Sequence, residues 1–236
     1  MPSRQKILFS LAYFIFLLPS QLAAQEQMKF SISQNAAPTQ LAVKIIEAAY
    51  SKLGIKVEKQ RVSRSRASVM ASKGEIDGEL AGPKLFEKKF PSLKRIDVPI
   101  MTIDVVIFAC DQRPDDIVRK DLADKRVGRI DGAELISKYT KPYKNVWLGE
   151  NFKQLFKMLQ LNRLDAVIGP RIALNTFTRE NDPGCIRVVG HPLDSIPLFH
   201  FIHEKHATLI PRLTDVLREM LNSGEIDRIK KSLLTH

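Results

Sequence analysis

The chain has 236 residues, of which 44% are hydrophobic, 27% charged and 7% aromatic. That composition suits a folded globular protein and excludes a disordered, collagenous or multi-span membrane chain. A formal charge of +11 admits nucleic acid, membrane surfaces or anionic ligands and selects none of them, while two cysteines exclude a disulfide-dense scaffold and a four-cysteine zinc site.

Residues 1–24 read as a secretory signal peptide. Arg4 and Lys6 precede an apolar run from Ile7 to Leu18, Pro19-Ser20 breaks it, and the small residues Ala23 and Ala24 follow. This order of charge, apolar run and small residues places cleavage after Ala24. The run is about 12 residues, short of the roughly 20 that a bilayer span needs, and a retained anchor is the alternative. With no cysteine at the cleavage point, a lipid anchor is not expected. Removing Arg4 and Lys6 leaves +9 on residues 25–236. The chain is expected in the periplasm, as a soluble monomer.

Strand-like and helix-like segments then alternate. Met28–Ser33 reads as a strand. Pro38-Thr39 opens a helix with Leu41, Ile45, Ala48, Ala49 and Leu53 on one face, closed by Gly54. Strands follow at Ile55–Gln60 and Ile76–Ala81, with a helix near Arg64–Ser72 between them. Ile103–Ala109 is apolar and β-branched, as a buried strand requires. Strands at Arg126–Ile130, Asn145–Leu148 and Asp165–Gly169 alternate with helices opening at Ala133 and Phe152. Asn151 and Gln154 form a candidate capping box. Strands near Ile186–Val189 and Leu198–Ile202 precede helices at Pro211–Leu221 and Glu225–Leu234. This alternation predicts an α/β fold with mostly parallel sheets.

Two further features bear on architecture. Export favours a Cys110–Cys185 bond over two buried thiols. Such a bond would close a loop of about 75 residues, worth roughly 4 kcal/mol on the chain-entropy model. Met70–Leu80 also overlays Met158–Ile168: each has a helix end, a turn residue (Gly74 or Asn162), an apolar residue, an aspartate (Asp77 or Asp165) and a strand. The two segments lie about 88 residues apart, which suggests two lobes on a similar plan.

The segments Gly74-Glu-Ile-Asp-Gly78, Val127-Gly-Arg-Ile-Asp-Gly132, Leu164-Asp-Ala-Val-Ile168 and Gly224-Glu-Ile-Asp-Arg-Ile229, after a signal peptide, resemble family 3 periplasmic solute-binding proteins. These are the type II two-lobed receptors that serve ABC importers. The resemblance covers residues 28–236 and rests on order and spacing, since no single motif is specific. It implies lobe 1 from 25–108 plus 195–236, lobe 2 from 109–194, a hinge near Ala109 and Asp194, and a ligand cleft between the lobes. The cysteines would then sit at the two ends of lobe 2.

Open α/β sheets bind ligands beyond the carboxyl ends of their strands, where helix N-termini offer free N–H groups. The candidate ligand-binding residues are therefore Asn35, Glu79, Gly82, Arg129, Gly132, Ala133, Asn151 and Arg171. To these the Arg61-Val-Ser-Arg-Ser-Arg66 cluster adds Arg64 and Arg66, since a guanidinium grips carboxylate or phosphate with two parallel hydrogen bonds. A solvated basic turn is the alternative reading of that cluster.

Amino-acid-binding members of the family carry an arginine soon after the Ala81–Gly82 position, to hold the ligand carboxylate. Here Lys84, Lys88 and Lys89 stand instead. They also carry an aspartate after the Asp-Ala-Val-Ile-Gly strand, to hold the ammonium, where this chain has Pro170. Both halves of the amino-acid clamp are altered.

Other chemistries find little support. His200, His203 and His206 recur every third residue, but a strand sends His200 and His203 to opposite faces, and no metal or cofactor is expected. His206 reads as exposed. No nucleic-acid motif and no catalytic motif appears. The leading expectation is capture of a small polar solute, with an anionic one as an option, for an ABC importer, without catalysis. A sensory module for a membrane receptor or kinase is the alternative, and a dehydratase-like enzyme on the same fold a more distant one.

Overall fold

The computed structural model describes residues 26–32, 37–62 and 64–234. The expected signal peptide, residues 1–24, and the expected ligand residue Asn35 lie outside the described residues.

Strand β1 (Gln27–Ile32) alternates, sending Met28 and Phe30 into the core. It pairs in parallel with β2 (Lys56–Arg61) on one side and β3 (Gly78–Pro83) on the other. Helix α1 (Ala37–Lys52) joins β1 to β2 and buries Leu41, Ala42, Ile45, Ile46, Ala49 and Tyr50, a stripe at the helical period. The chain turns after α1 at Gly54, whose φ of +74° a side chain would resist. Helix α2 (Arg64–Ser72) precedes β3, and the short α3 (Phe86–Lys89) follows it.

Two strands of 17 residues each dominate the rest: β4 (Leu93–Ala109) and β8 (Arg187–His203). They pair antiparallel from Leu93↔His203 to Ala109↔Arg187, over roughly 55 Å at the usual rise per residue. Between them the chain forms α4 (Asp115–Asp121), β5 (Arg126–Ile130), α5 (Glu134–Thr140), β6 (Asn145–Gly149), α6 (Phe152–Gln160), β7 (Ala166–Pro170) and α7 (Ile172–Thr178). Helices α8 (Ile210–Asn222) and α9 (Glu225–Leu234) end the chain. The eight strands form one sheet in the order β2-β1-β3-β8-β4-β7-β5-β6. Parallel triplets stand at either end, and antiparallel pairings join them through β8 and β4.

The hydrophobic residues divide accordingly. One core gathers Phe30, Ile45, Tyr50, Ile96, Ile202, Leu213, Leu217 and Ile226 from both ends of the chain. At the other half, Val105, Val127, Ala166 and Ile168 pack on one face of the sheet, and Phe108, Leu155, Phe156 and Phe177 on the other. Burying a side chain of this size contributes about 1.5–3 kcal/mol. Strands β4 and β8 supply residues to both halves, so the architecture is two-lobed with a continuous pair of strands between the lobes.

Cys110 and Cys185 are bonded, with Cα atoms 4.8 Å apart and a sequence separation of 75. The bond ties the end of β4 to the segment that enters β8. Among the described residues, no helix is long and apolar enough to cross a membrane.

Several elements differ from the sequence expectation. The Ile103–Ala109 strand begins ten residues earlier, at Leu93, and the strands expected at Ile186–Val189 and Leu198–Ile202 are one. The intervening polar residues join the ladder because each long strand has the other as its partner. Val105 pairs with Asp194 but Ile107 with Val189, so β8 bulges around Gly190, whose φ is +65°. Helices α3, α4 and α7, of 4 to 7 residues, are too short to show a period.

Candidate functional site

The end of β5 leads through Asp131 and Gly132 to Ala133, the N-cap of α5. Asp131 Oδ1 accepts the Gly132 N–H at 2.8 Å. Gly132 has φ +67°, and a Cβ there would meet no atom within 4 Å, so open space lies beside the turn. The end of β7 leads through Arg171 into α7. Leu135 of α5 and Ile172 of α7 pack against the core cluster of the other lobe, and α7 touches α1. The helix starts bearing Gly132, Ala133 and Arg171 therefore lie on the side of lobe 2 that faces lobe 1.

Arg129 sits three residues before Gly132. One of its terminal nitrogens donates to the Ile130 carbonyl at 3.1 Å. Its Nε is buried without an acceptor among the described residues, an unmet demand for an anionic or carbonyl partner. Asn151 caps α6: its Oδ1 accepts the Gln154 N–H at 2.9 Å. The reciprocal bond of the box runs from the Glu150 N–H to Gln154 Oε1 at 3.1 Å, one residue away from the expected donor. Asn151 thus already serves the helix.

On lobe 1, Glu79 is half-buried and Gly82 buried in β3, which packs against α2. A Cβ at Gly82 would lie 2.7 Å from the Phe86 ring, so this glycine admits the aromatic ring of α3. Arg64 opens α2 and Arg66 stands exposed two residues further along. Arg61 ends β2, also exposed. Lys84, Lys88 and Lys89 are exposed around α3, and Pro170 is buried at the end of β7.

Sequence reasoning missed the groups that join the crossing strands to lobe 2. Asp104 of β4 accepts from Ser195 Oγ of β8 at 2.7 Å and from Arg171 Nε at 3.4 Å, while its carbonyl accepts the Arg171 N–H at 2.8 Å. Asp194 accepts from the Tyr139 hydroxyl and, at 3.3 Å, from Lys138 Nζ, both on α5. Hydrogen bonding by Tyr139, then by Lys138, holds the Asp194 carboxyl below the usual carboxylate range. Burial and the Asp194 bond push the Tyr139 hydroxyl up. The available signal was two aspartates, Asp104 and Asp194, at the edges of apolar strands.

The histidines have separate partners. His200 is fully buried among Phe30 and Tyr50. Its Nδ1 faces the Glu79 carbonyl at 2.9 Å. A carbonyl only accepts, so Nδ1 carries the proton and Nε2 accepts from the Tyr50 hydroxyl at 3.0 Å. Burial lowers the His200 pKa to about 4. His206 is not the exposed side chain the sequence suggested. It is half-buried, with Nε2 2.7 Å from Asp77 Oδ1, because the turn after β8 returns it to the start of β3.

A sheet of this order, crossed by two long strands, has clear counterparts among solved structures. The GluR0 ligand-binding core in complex with L-glutamate superposes with a TM-score of 0.74 at 16% identity, covering 89% of this chain and 99% of that one. The amino acid ABC transporter substrate-binding protein AbpA from Streptococcus pneumoniae, bound to L-arginine, gives 0.73 at 15% identity, with 89% and 94% covered. A histidine kinase sensor domain with similarity to periplasmic binding proteins gives 0.70 at 16%, with 89% and 97% covered.

The chain has the type II periplasmic-binding-protein fold.

Identities this low establish the fold alone. No protein-family model matches the chain, and no curated protein matches it. In a type II binding-protein fold the residues between the lobes are the place to look for ligand. Of the expected site residues, Gly132, Ala133 and Arg171 stand on that face of lobe 2, and Arg129 lies in β5 three residues before Gly132.

Proposed function

We propose that the chain is a periplasmic solute-binding protein that captures a small polar, anionic solute between lobes 25–108 with 195–236 and 109–194, without altering it. It then hands the solute to a membrane importer. The observation that carries this reading is the cation on the inter-lobe face. Where amino-acid-binding relatives of the resembled family place an aspartate, this chain has Pro170, and the adjoining side chain is Arg171. A guanidinium there, with the unsatisfied Nε of Arg129 in the neighbouring strand, favours a carboxylate or phosphate over an ammonium. The turn at Gly132, where a Cβ would meet no atom within 4 Å, leaves room beside it for a solute.

Arg64, Arg66, Glu79 and Gly82 would serve the opposite wall, with Asn35 beyond the first strand. Closure of the lobes would then shut the solute from water. The fold similarity to a histidine kinase sensor domain supports a second reading, in which the closed form signals to a membrane kinase.

Thermal-shift screening of the purified chain against organic acids, phosphates, amino acids and polyamines tests the proposal. An anionic compound at 100 times its Kd stabilises by about 2.7 kcal/mol. Stabilisation by polyamines alone, or by no compound, refutes it. Turnover of the bound compound, seen by mass spectrometry, would replace binding by catalysis. Cross-linking in whole cells separates the readings by capturing an importer permease or a kinase.

A further inference from the structure

The far edge of lobe 2 has no part in the proposed cleft. Strand β6 ends the sheet and pairs only with β5 among the described residues, so one row of its backbone N–H and C=O groups is open. Natural edge strands are usually shielded by charge, proline or a covering element, because an open edge recruits another strand. Here the edge carries Trp147 at 52% exposure and Leu148 at 48%. Strand alternation puts Trp147 on the same face as Gly149, whose missing Cβ leaves room for Leu155 of α6. The indole therefore overlooks α6. Between the two lies a groove of about 860 Å³, floored by Met158 and by Leu161, itself 63% exposed.

Charge identifies the occupant. The groove is lined by cations and by no carboxylate. Arg126 and Lys144 are tied to Asp165 and Asp124, whereas the exposed Lys157 and Arg163 have no acidic partner among the described residues. A second copy of the chain, seated by two-fold symmetry, would bring these cations against their own counterparts. We propose that the β6 edge and the β6–α6 groove form a docking site for an extended acidic segment of a partner protein. The segment adds to the sheet as a further strand, its apolar side chains on Trp147 and Leu161 and its carboxylates at Lys157 and Arg163. Backbone pairing supplies attachment, and alternate side chains supply selectivity.

Trp147 is the only tryptophan of the chain, so its fluorescence reports this site alone. The probe is a blocked peptide of about seven residues alternating Glu and Val, the length of an ordinary strand. Titration into the full chain is expected to give a saturable blue shift that weakens as salt is raised. The Lys/Val analogue should give none. A Glu/Val peptide N-methylated at alternate residues keeps its charge, loses strand pairing and should fail to saturate. The exposed double variant Lys157→Glu, Arg163→Glu should weaken binding by roughly tenfold or more, with the circular dichroism spectrum unchanged. No saturation up to millimolar Glu/Val peptide overturns the proposal. So does equal binding of the N-methylated or Lys/Val peptide, and so does concentration-dependent dimerisation lost in Trp147→Ala, which would make a second copy the occupant.

Discussion

Asp77 and Lys29 lock two strands of lobe 1 together through a reciprocal pair of bonds. The Lys29 N–H donates to Asp77 Oδ2 at 2.7 Å, and the Asp77 N–H donates to the Lys29 carbonyl at 2.8 Å. Asp165 and Arg126 repeat the arrangement in lobe 2, at 2.7 Å and 2.9 Å. Each aspartate stands just before a strand and fastens it to the first strand of its lobe's parallel triplet. The sequence echo between Met70–Leu80 and Met158–Ile168 is thus one structural device used twice.

Removing that device should cost each lobe similarly. Asp77→Ala and Asp165→Ala each remove the acceptor of a backbone N–H that is at most part-buried, a loss of about 0.5–1.5 kcal/mol each. The asparagine variants, which keep an acceptor oxygen, should recover part of it. Urea denaturation of the four variants checks the ordering; asparagine variants no better than alanine ones would show that charge, and not the bond to the N–H, carries the effect.

Acid should destabilise the protein in a defined window. The His200 pKa falls from 6.5 in the unfolded chain to about 4 in the folded one, so between those values the unfolded state binds the proton that the folded state refuses. Its contribution is present above about pH 6.5 and is lost as pH falls towards 4, roughly 3 kcal/mol in all. For Asp77, burial pushes the carboxyl up, but the bonds from Lys205, the Lys29 N–H and His206 outweigh it and hold it low. Its share is present above the ordinary carboxylate pKa and lost below it. Stability measured from pH 7 to 4 should therefore slope steadily, and His200→Gln should flatten the slope.

Reduction of the disulfide should act mainly through the unfolded chain. Cys110→Ser with Cys185→Ser removes a 75-residue closed loop, worth up to about 4 kcal/mol on the chain-entropy model. Thiol titration of the denatured wild-type protein should find no free thiol, and the double variant should unfold at lower denaturant. Two free thiols in the wild-type chain would contradict the bond.

Asp104 gives a test of whether its link to Arg171 bears on ligand capture. Asp104→Ala removes the acceptor of Ser195 Oγ and Arg171 Nε. A part-exposed pair of this kind should cost only about 1 kcal/mol of global stability. If Arg171 holds solute, freeing it should weaken the affinity of a ligand found by screening about tenfold, measured by calorimetry. Unchanged affinity would separate the Asp104 link from ligand capture.

The chain's local architecture was legible in its residues. Left-handed positions at Gly54, Gly74, Asn162 and Gly224 end helices where expected, and the buried stripes of α1 and α8 follow their periodicity. The expectation of export pointed to Cys110–Cys185 before any geometry. These features depend on a few neighbouring residues, or on compartment, and so can be read along the chain.

Tertiary structure alone decided what joins distant segments. It brought Tyr50 to His200 across 150 positions, made one β8 from two apparent strands, and set Asp104 against both Ser195 and Arg171. It also left Trp147 on an open edge. A side chain's partner is set by the path of the whole chain and not by its neighbours, so one aspartate can join the crossing strands, as Asp104 does, and another fasten the start of a strand, as Asp77 does.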